Sequence, residues 1–208
     1  MTGSIYLIGG GEIRNGETYQ IDEELKSLAP SGSTFVFFGF AAQDSVEYSD
    51  AITSVFGDKF KVLVPTQKKG RDYALSAIQS ASLIYLGGGD TDRLMRLFSE
   101  WDLVEHLIKA LERGVHIAGM SAGALALSSW YIHEDNDMFE IRKGWGIAPV
   151  GALVHANQNS FEKAKSLWAN FHRDNECSFI AIGEGAAWRI DSVDEQKIGN
   201  GNIWRMNC

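Results

Sequence analysis

The sequence has little of what would carry a chain out of the cell, into a bilayer or onto nucleic acid. Only two of its 208 residues are cysteine, Cys177 and Cys208. They lie far apart, with no His or Cys beside them at ligand spacing, so neither a disulfide scaffold nor a cysteine-based metal site is expected; a single disulfide between them stays open. Basic residues are outnumbered, 19 against 27 acidic, for a net charge of −8. No Lys/Arg stripe interrupts that excess, which argues against a nucleic-acid surface. Long apolar runs are absent as well. The most apolar stretch, residues 35–42, is far too short to cross a membrane. The start, Met1-Thr2-Gly3-Ser4, shows neither a basic segment nor an apolar one behind it, so no signal peptide is expected. No linker, repeat or low-complexity segment divides the chain. These absences predict one domain over residues 1–208, cytoplasmic, without metal or cofactor, a monomer or homodimer with no membrane or nucleic-acid partner.

What the chain has in quantity is glycine, 22 residues, several clustered where apolar runs end. Glycine so placed suggests backbone approaching a ligand. The informative cluster is Gly119-Met120-Ser121-Ala122-Gly123, between the apolar run Val115-His116-Ile117-Ala118 and the helix-forming Ala124-Leu125-Ala126-Leu127. A G-x-S-x-G between strand and helix is the pattern of a nucleophile elbow. The serine at such an apex projects its oxygen from a strained turn that only small neighbours permit. The Ala122 amide then stands at a helix N-terminus, where an unpaired N–H favours a developing oxyanion.

Along the chain, apolar runs at Ser4–Ile8, Thr34–Phe38, Phe60–Val64, Ser82–Leu86, Ala152–Ala156 and Ser178–Ile182 alternate with helical stretches at Ile21–Leu28, Val46–Phe56, Arg71–Ser80, Arg93–Phe98, Trp101–Arg113 and Phe161–Phe171. Alternation of this kind predicts an α/β fold, a mostly parallel sheet flanked by helices. The tail differs: Ala186–Ile190, Glu195–Ile198 and Asn202–Met206 read as short antiparallel strands, with Gly199-Asn200-Gly201 as a turn. Gly9-Gly10-Gly11 after the first strand does not complete a dinucleotide fingerprint, because position 14 is Arg14. Residues 129–146 read as an irregular loop near the site. Their His133, Glu134, Asp135 and Asp137 match no common metal-ligand spacing.

A serine nucleophile needs a base, and the base an orienting acceptor. Of five histidines, His155 ends a predicted strand on the edge where the elbow opens; a structural role for it stays open. The acid is Glu184, held between Gly183 and Gly185 at another strand end, or Asp137. The loop Gly87-Gly88-Gly89-Asp90-Thr91, leaving a strand and entering a helix, offers further oxyanion amides. The order Ser, His, Glu departs from that of α/β-hydrolases.

Taken together, Gly87-Gly88-Gly89-Asp90-Thr91, Gly119-Met120-Ser121-Ala122-Gly123-Ala124, Asn136-Asp137-Met138, His155 and Gly183-Glu184-Gly185 resemble, in kind and order, the motifs of the peptidase E family. Those serine peptidases include alpha-aspartyl dipeptidase and, more distantly, cyanophycinase. The resemblance implies a fold like that of class I glutamine amidotransferases, with serine in place of cysteine. It further implies Ser121 as nucleophile, His155 as base, Glu184 or alternatively Asp137 as acid, and Gly88 and Ala122 as oxyanion donors. The expected activity is hydrolysis of short peptides, Asp-X among them, through an acyl-enzyme. The family's arginine for a substrate aspartate has no match in Asn159-Ser160-Phe161-Glu162-Lys163-Ala164-Lys165. Two other readings stand beside this one: a catalytically silent relative binding a small amino-acid-like ligand, and an amidotransferase-like subunit, which would require cysteine at the elbow.

Overall fold

Short runs that are apolar throughout can only be buried on both faces, and they form the centre of the structure. The computed structural model describes residues 3–135, 138–171 and 178–206. Its first strands, β1 (Ile5–Ile8), β2 (Thr34–Phe38), β3 (Lys61–Leu63), β4 (Leu83–Leu86) and β5 (His116–Met120), lie parallel in the order β1-β5-β4-β2-β3. Their side chains alternate between two cores. Ile5, Leu7, Val36, Phe38, Ile84 and Leu86 face one; Tyr6, Ile8, Phe35, Phe37, Leu83 and Tyr85 face the other. Helices α1 (Tyr19–Ser27) and α2 (Val46–Phe56) cover the second face through Ile21, Leu25, Ile52 and Phe56. Helices α3 (Gly70–Ser80), α4 (Thr91–Glu100), α5 (Val104–Glu112) and α6 (Ala122–Leu127) cover the first. Side-chain caps start two of these helices: Ser45 accepts the Tyr48 N–H and Asp90 that of Arg93, each worth about 1 kcal/mol.

Five of the later strands build a second sheet. Strands β6 (Ser128–Asp135), β7 (Met138–Lys143), β8 (Ala148–Leu153), β9 (Ser178–Ile182) and β12 (Ile203–Met206) run in the order β12-β9-β8-β6-β7. Strands β9, β8 and β6 are parallel, and the two edge strands antiparallel. One face joins the first core through Val150, Ala152, Ile180 and Ile182. The other is closed by α7 (Gln158–Phe171), whose Trp168 lies over Gly151, where any side chain would collide with the indole. The expected antiparallel C-terminal strands are present. Strands β10 (Ala186–Ile190) and β11 (Glu195–Gly199) extend the first sheet beyond β1, whereas β12 crosses to the second.

Two expectations need correction. Within residues 129–146, expected to be an irregular loop, strands β6 and β7 pair antiparallel from Trp130 with Lys143 to Asp135 with Met138. Phe139 and Ile141 pack against the α7 core while Glu140 pairs with Arg142 on strand β7, so a period of two was present beneath the charges. The sheet is also divided, so that the strands preceding His155 and Glu184 belong to a different sheet from the strand preceding Ser121. Among the described residues no helix is long and apolar enough to cross a membrane.

Candidate active site

Ser121 is the hinge residue between β5 and α6, with φ 50° and ψ −109°, a conformation L-residues avoid. Backbone packing holds it there. Its N–H donates to Ile8 O at 2.9 Å, and its carbonyl accepts the Leu125 N–H at 3.0 Å. On either side the chain runs too close for side chains. A Cβ on Gly119 would fall 2.5 Å from Gly123 O, and one on Gly123 2.8 Å from Leu86 Cβ. The glycines of the motif therefore seat α6 against β5 and β4, which aims the serine out of the sheet.

His155 and Glu184 arrive from the second sheet, two residues past the ends of β8 and β9. Backbone bonds to the glycine loop after β1 join the two sheets at this point. His155 N–H donates to Gly9 O at 2.9 Å and Gly185 N–H to Gly10 O at 3.1 Å. His155 is itself held at φ 51°. The result is a continuous line of side chains: Ser121 Oγ lies 2.7 Å from His155 Nε2, and His155 Nδ1 lies 2.5 Å from Glu184 Oε1. An ionised carboxylate can only accept, so the imidazole proton sits on Nδ1 and Nε2 is left to accept from the serine hydroxyl. The His155 and Glu184 side chains are 51% and 55% exposed, so solvent and ligand reach the line freely.

A cavity of about 520 Å³ opens on Ser121 and His155, walled by Gly89, Asp90, Asp92 and Leu125 on one side and His133, Glu134 and Leu153 on the other. A second of similar size lies beyond Glu184, lined by Asn157, Gln158, Asn202 and Trp204. Among the described residues no three His, Cys, Asp or Glu side chains converge as a metal ion would require.

The backbone amides expected near Ser121 differ in their engagement. Ala122 is the first residue of α6, so its N–H has no partner within the helix. Gly88 lies against the serine, a Cβ there falling 3.3 Å from Ser121 Cβ, but its N–H donates to Tyr48 Oη at 3.3 Å. A backbone nitrogen has one proton, and this one is engaged. Gly89 lines the cavity, and its amide has no hydrogen-bond partner among the described residues. Tyr48 holds the loop in place: its hydroxyl also donates to Met120 Sδ at 3.2 Å, as Tyr85 does at 3.4 Å. Burial pushes the Tyr48 hydroxyl up to about 12, so it stays protonated near neutral pH.

Of the other candidates, Asp137 and Asn136 lie outside the described residues, as do His172 and both cysteines. His116 is half-buried, its Nδ1 accepting the Ser4 N–H and its pKa lowered by burial, a structural role. Gly10 was not singled out by sequence reasoning, although it faces His155 and Glu184 directly.

The description of Peptidase family S51 matches residues 5–198. The chain belongs to that family. With it the chain falls among the serine peptidases, hydrolases of peptide bonds. Among curated relatives, it is 43% identical over 51 residues to the uncharacterized peptidase YgaJ of Bacillus subtilis strain 168, a match spanning 24% of this chain and 22% of that one. It is 22% identical over 179 residues to Peptidase E of Streptomyces coelicolor, covering 81% of this chain and 72% of that one. Two solved structures share the S51 chain's fold. A peptidase from an acI-B1 Actinobacterium superposes with a TM-score of 0.69 at 21% identity, over 100% of this chain and 95% of the other. A candidate Peptidase E from Listeria monocytogenes EGD-e gives 0.71 at 14%, over 96% and 100%.

Proposed function

We infer that this S51 peptidase is an exopeptidase of short peptides working through an acyl-enzyme on Ser121. The observation that carries the reading is the unbroken line Ser121 Oγ, His155 Nε2, His155 Nδ1, Glu184 Oε1 beside an open cavity. In the first step Ser121 Oγ bonds to the scissile carbonyl carbon and its proton passes to His155 Nε2. The oxyanion is met by the amides of Ala122 and Gly89, neither of which has a hydrogen-bond partner among the described residues; removing one such donor costs about 10²–10³ in kcat in a serine protease. Collapse of the tetrahedral intermediate breaks the C–N bond, and His155 returns the proton to the departing amine. Water then hydrolyses the ester by the same route in reverse. Glu184 holds the Nδ1–H and stabilises the imidazolium; it takes no proton itself.

The test is a dipeptide panel, Asp-X included, on the parent and on Ser121→Ala, together with mass spectrometry after a serine-directed fluorophosphonate. Hydrolysis and a single adduct at Ser121, both lost in the variant, are the expected result. A folded parent that binds the peptides and cleaves none would instead make this chain a silent binder of amino-acid-like ligands.

A further inference from the structure

The cavity beside Ser121 has a sign. Among the described residues three carboxylates line it, Asp90, Asp92 and Glu134, and the other acid–base side chains on its wall are His133 and His155. The three are not equivalent. Asp90 caps α4, one oxygen accepting the Arg93 N–H at 2.9 Å, so part of its charge is balanced by the helix N-terminus. Asp92 lies 3.3 Å from Arg142, a cation it shares with Glu140. Glu134, at the exposed end of β6, has neither an ion pair nor a side-chain hydrogen bond among the described residues. Arg142 is thus already paired with two carboxylates, and among the described residues that line the cavity there is no lysine or arginine to receive a substrate carboxylate.

We propose that this cavity selects peptides presenting a cation, an ammonium or a guanidinium group, and that Glu134 determines the preference. The proposal rests on reading the cavity as the peptidase's substrate site. A carboxylate brought into the cavity meets like charge and must be desolvated against it, so an Asp-X peptide is the disfavoured substrate. An ammonium or guanidinium entering the same space finds in Glu134 a carboxylate with no competing partner, and a bidentate guanidinium pairs with it best. The cation meant is that of a lysine or arginine side chain, because the free N-terminus is common to all unblocked peptides and cannot discriminate among them.

Isothermal titration of Ser121→Ala with Lys-Ala, norleucyl-Ala, acetyl-Lys-Ala and Asp-Ala separates these cases without any turnover. Lys-Ala is expected to bind about fivefold or more tightly than its neutral isostere norleucyl-Ala, the worth of one half-exposed ion pair, and Asp-Ala most weakly. The preference of Lys-Ala over norleucyl-Ala reads the side-chain cation alone, and any loss from Lys-Ala to acetyl-Lys-Ala reads the contribution of the common N-terminus separately. The preference should shrink with added salt and in the background of Glu134→Gln. Equal binding of the Lys and norleucyl peptides, tighter binding of Asp-Ala, or no binding of any peptide overturns the proposal. Kinetics of the parent on the same peptides distinguish the two readings. Cleavage without cation preference sinks the selectivity alone, whereas cation-selective binding without cleavage sinks the hydrolysis and leaves the selectivity standing.

Discussion

Gly10 stands where the His155–Glu184 pair leaves no room for a side chain. A Cβ built on it falls 2.6 Å from His155 Nδ1 and closer still to Glu184 Oε2. The glycine loop after β1 is therefore part of the relay's geometry, since a methyl group there must push histidine and carboxylate apart. Gly10→Ala should lower kcat by about 10²-fold, the order expected when a catalytic group is misplaced by about 1 Å. Gly11→Ala is the control. It too has positive φ, 126°, but its Cβ meets Thr18 and Glu17 rather than the relay. Comparable kcat losses in the two variants, with comparable thermal shifts, would reduce Gly10 to a backbone role.

The strain at Ser121 gives a second expectation. Replacement by Ala removes the hydroxyl and keeps the unfavourable φ of 50°; replacement by Gly removes both. Both variants should be inactive, and Ser121→Gly should be the more stable by about 1 kcal/mol. Chemical denaturation of the pair reads that difference directly. A Gly variant no more stable than the Ala variant would mean that the elbow stores no strain.

Most of the elements were legible because apolar runs and the elbow motif speak for themselves. Thr34–Phe38, Val46–Phe56 and Ser178–Ile182 have the bounds expected of them, and the structure places Ser121, His155 and Glu184 within hydrogen-bond distance of one another in a line. Long-range relations were not legible. Nothing local says that β8 and β9 leave the central sheet, because strand order is set by packing of Val150, Ile180 and Ile182 on distant helices. Strand β7 was hidden by its charges, since Phe139 and Ile141 are only half-buried and Glu140 and Arg142 dominate the composition. The engagement of Gly88 by Tyr48, 40 residues upstream, is a side-chain contact that a glycine-rich string cannot announce.

Glu184 and Asp137 were both candidates for the acid. Glu184 reaches His155 Nδ1, and an amide in its place keeps the size while favouring the wrong tautomer. In the serine-protease precedent that change costs about 10⁴ in kcat, and Glu184→Gln should approach it. Asp137→Asn should act mainly on KM, because Asp137 follows the cavity residues His133 and Glu134 closely in sequence. The opposite ordering on one substrate at one pH would transfer the acid's role to Asp137.

The last prediction concerns stability rather than activity. Asp22 on α1 is 3% exposed; Thr18 Oγ1 donates to its Oδ2 at 2.8 Å, and its Oδ1 has no partner among the described residues. Burial raises its pKa from 3.8 to about 6, the hydrogen bond from Thr18 and the nearby Lys26 opposing the rise and Glu23 adding to it. Between pH 4 and 6 the folded protein keeps this proton while the unfolded chain has released it. Folding then binds more protons than unfolding, and stability falls as pH rises through that window. Above the folded value the loss is complete. A displacement of about two pH units is worth on the order of 2 to 3 kcal/mol, present at low pH and gone at pH 7. Asp22→Asn cannot titrate, and whatever its amide costs is the same at every pH. The stability of Asp22→Asn relative to the parent should therefore improve by that amount between pH 4 and pH 7, as measured by urea unfolding at each unit. Groups common to both proteins cancel in the difference. A difference that stays flat across the range would show that Asp22 titrates at its ordinary value and that its burial is relieved by water.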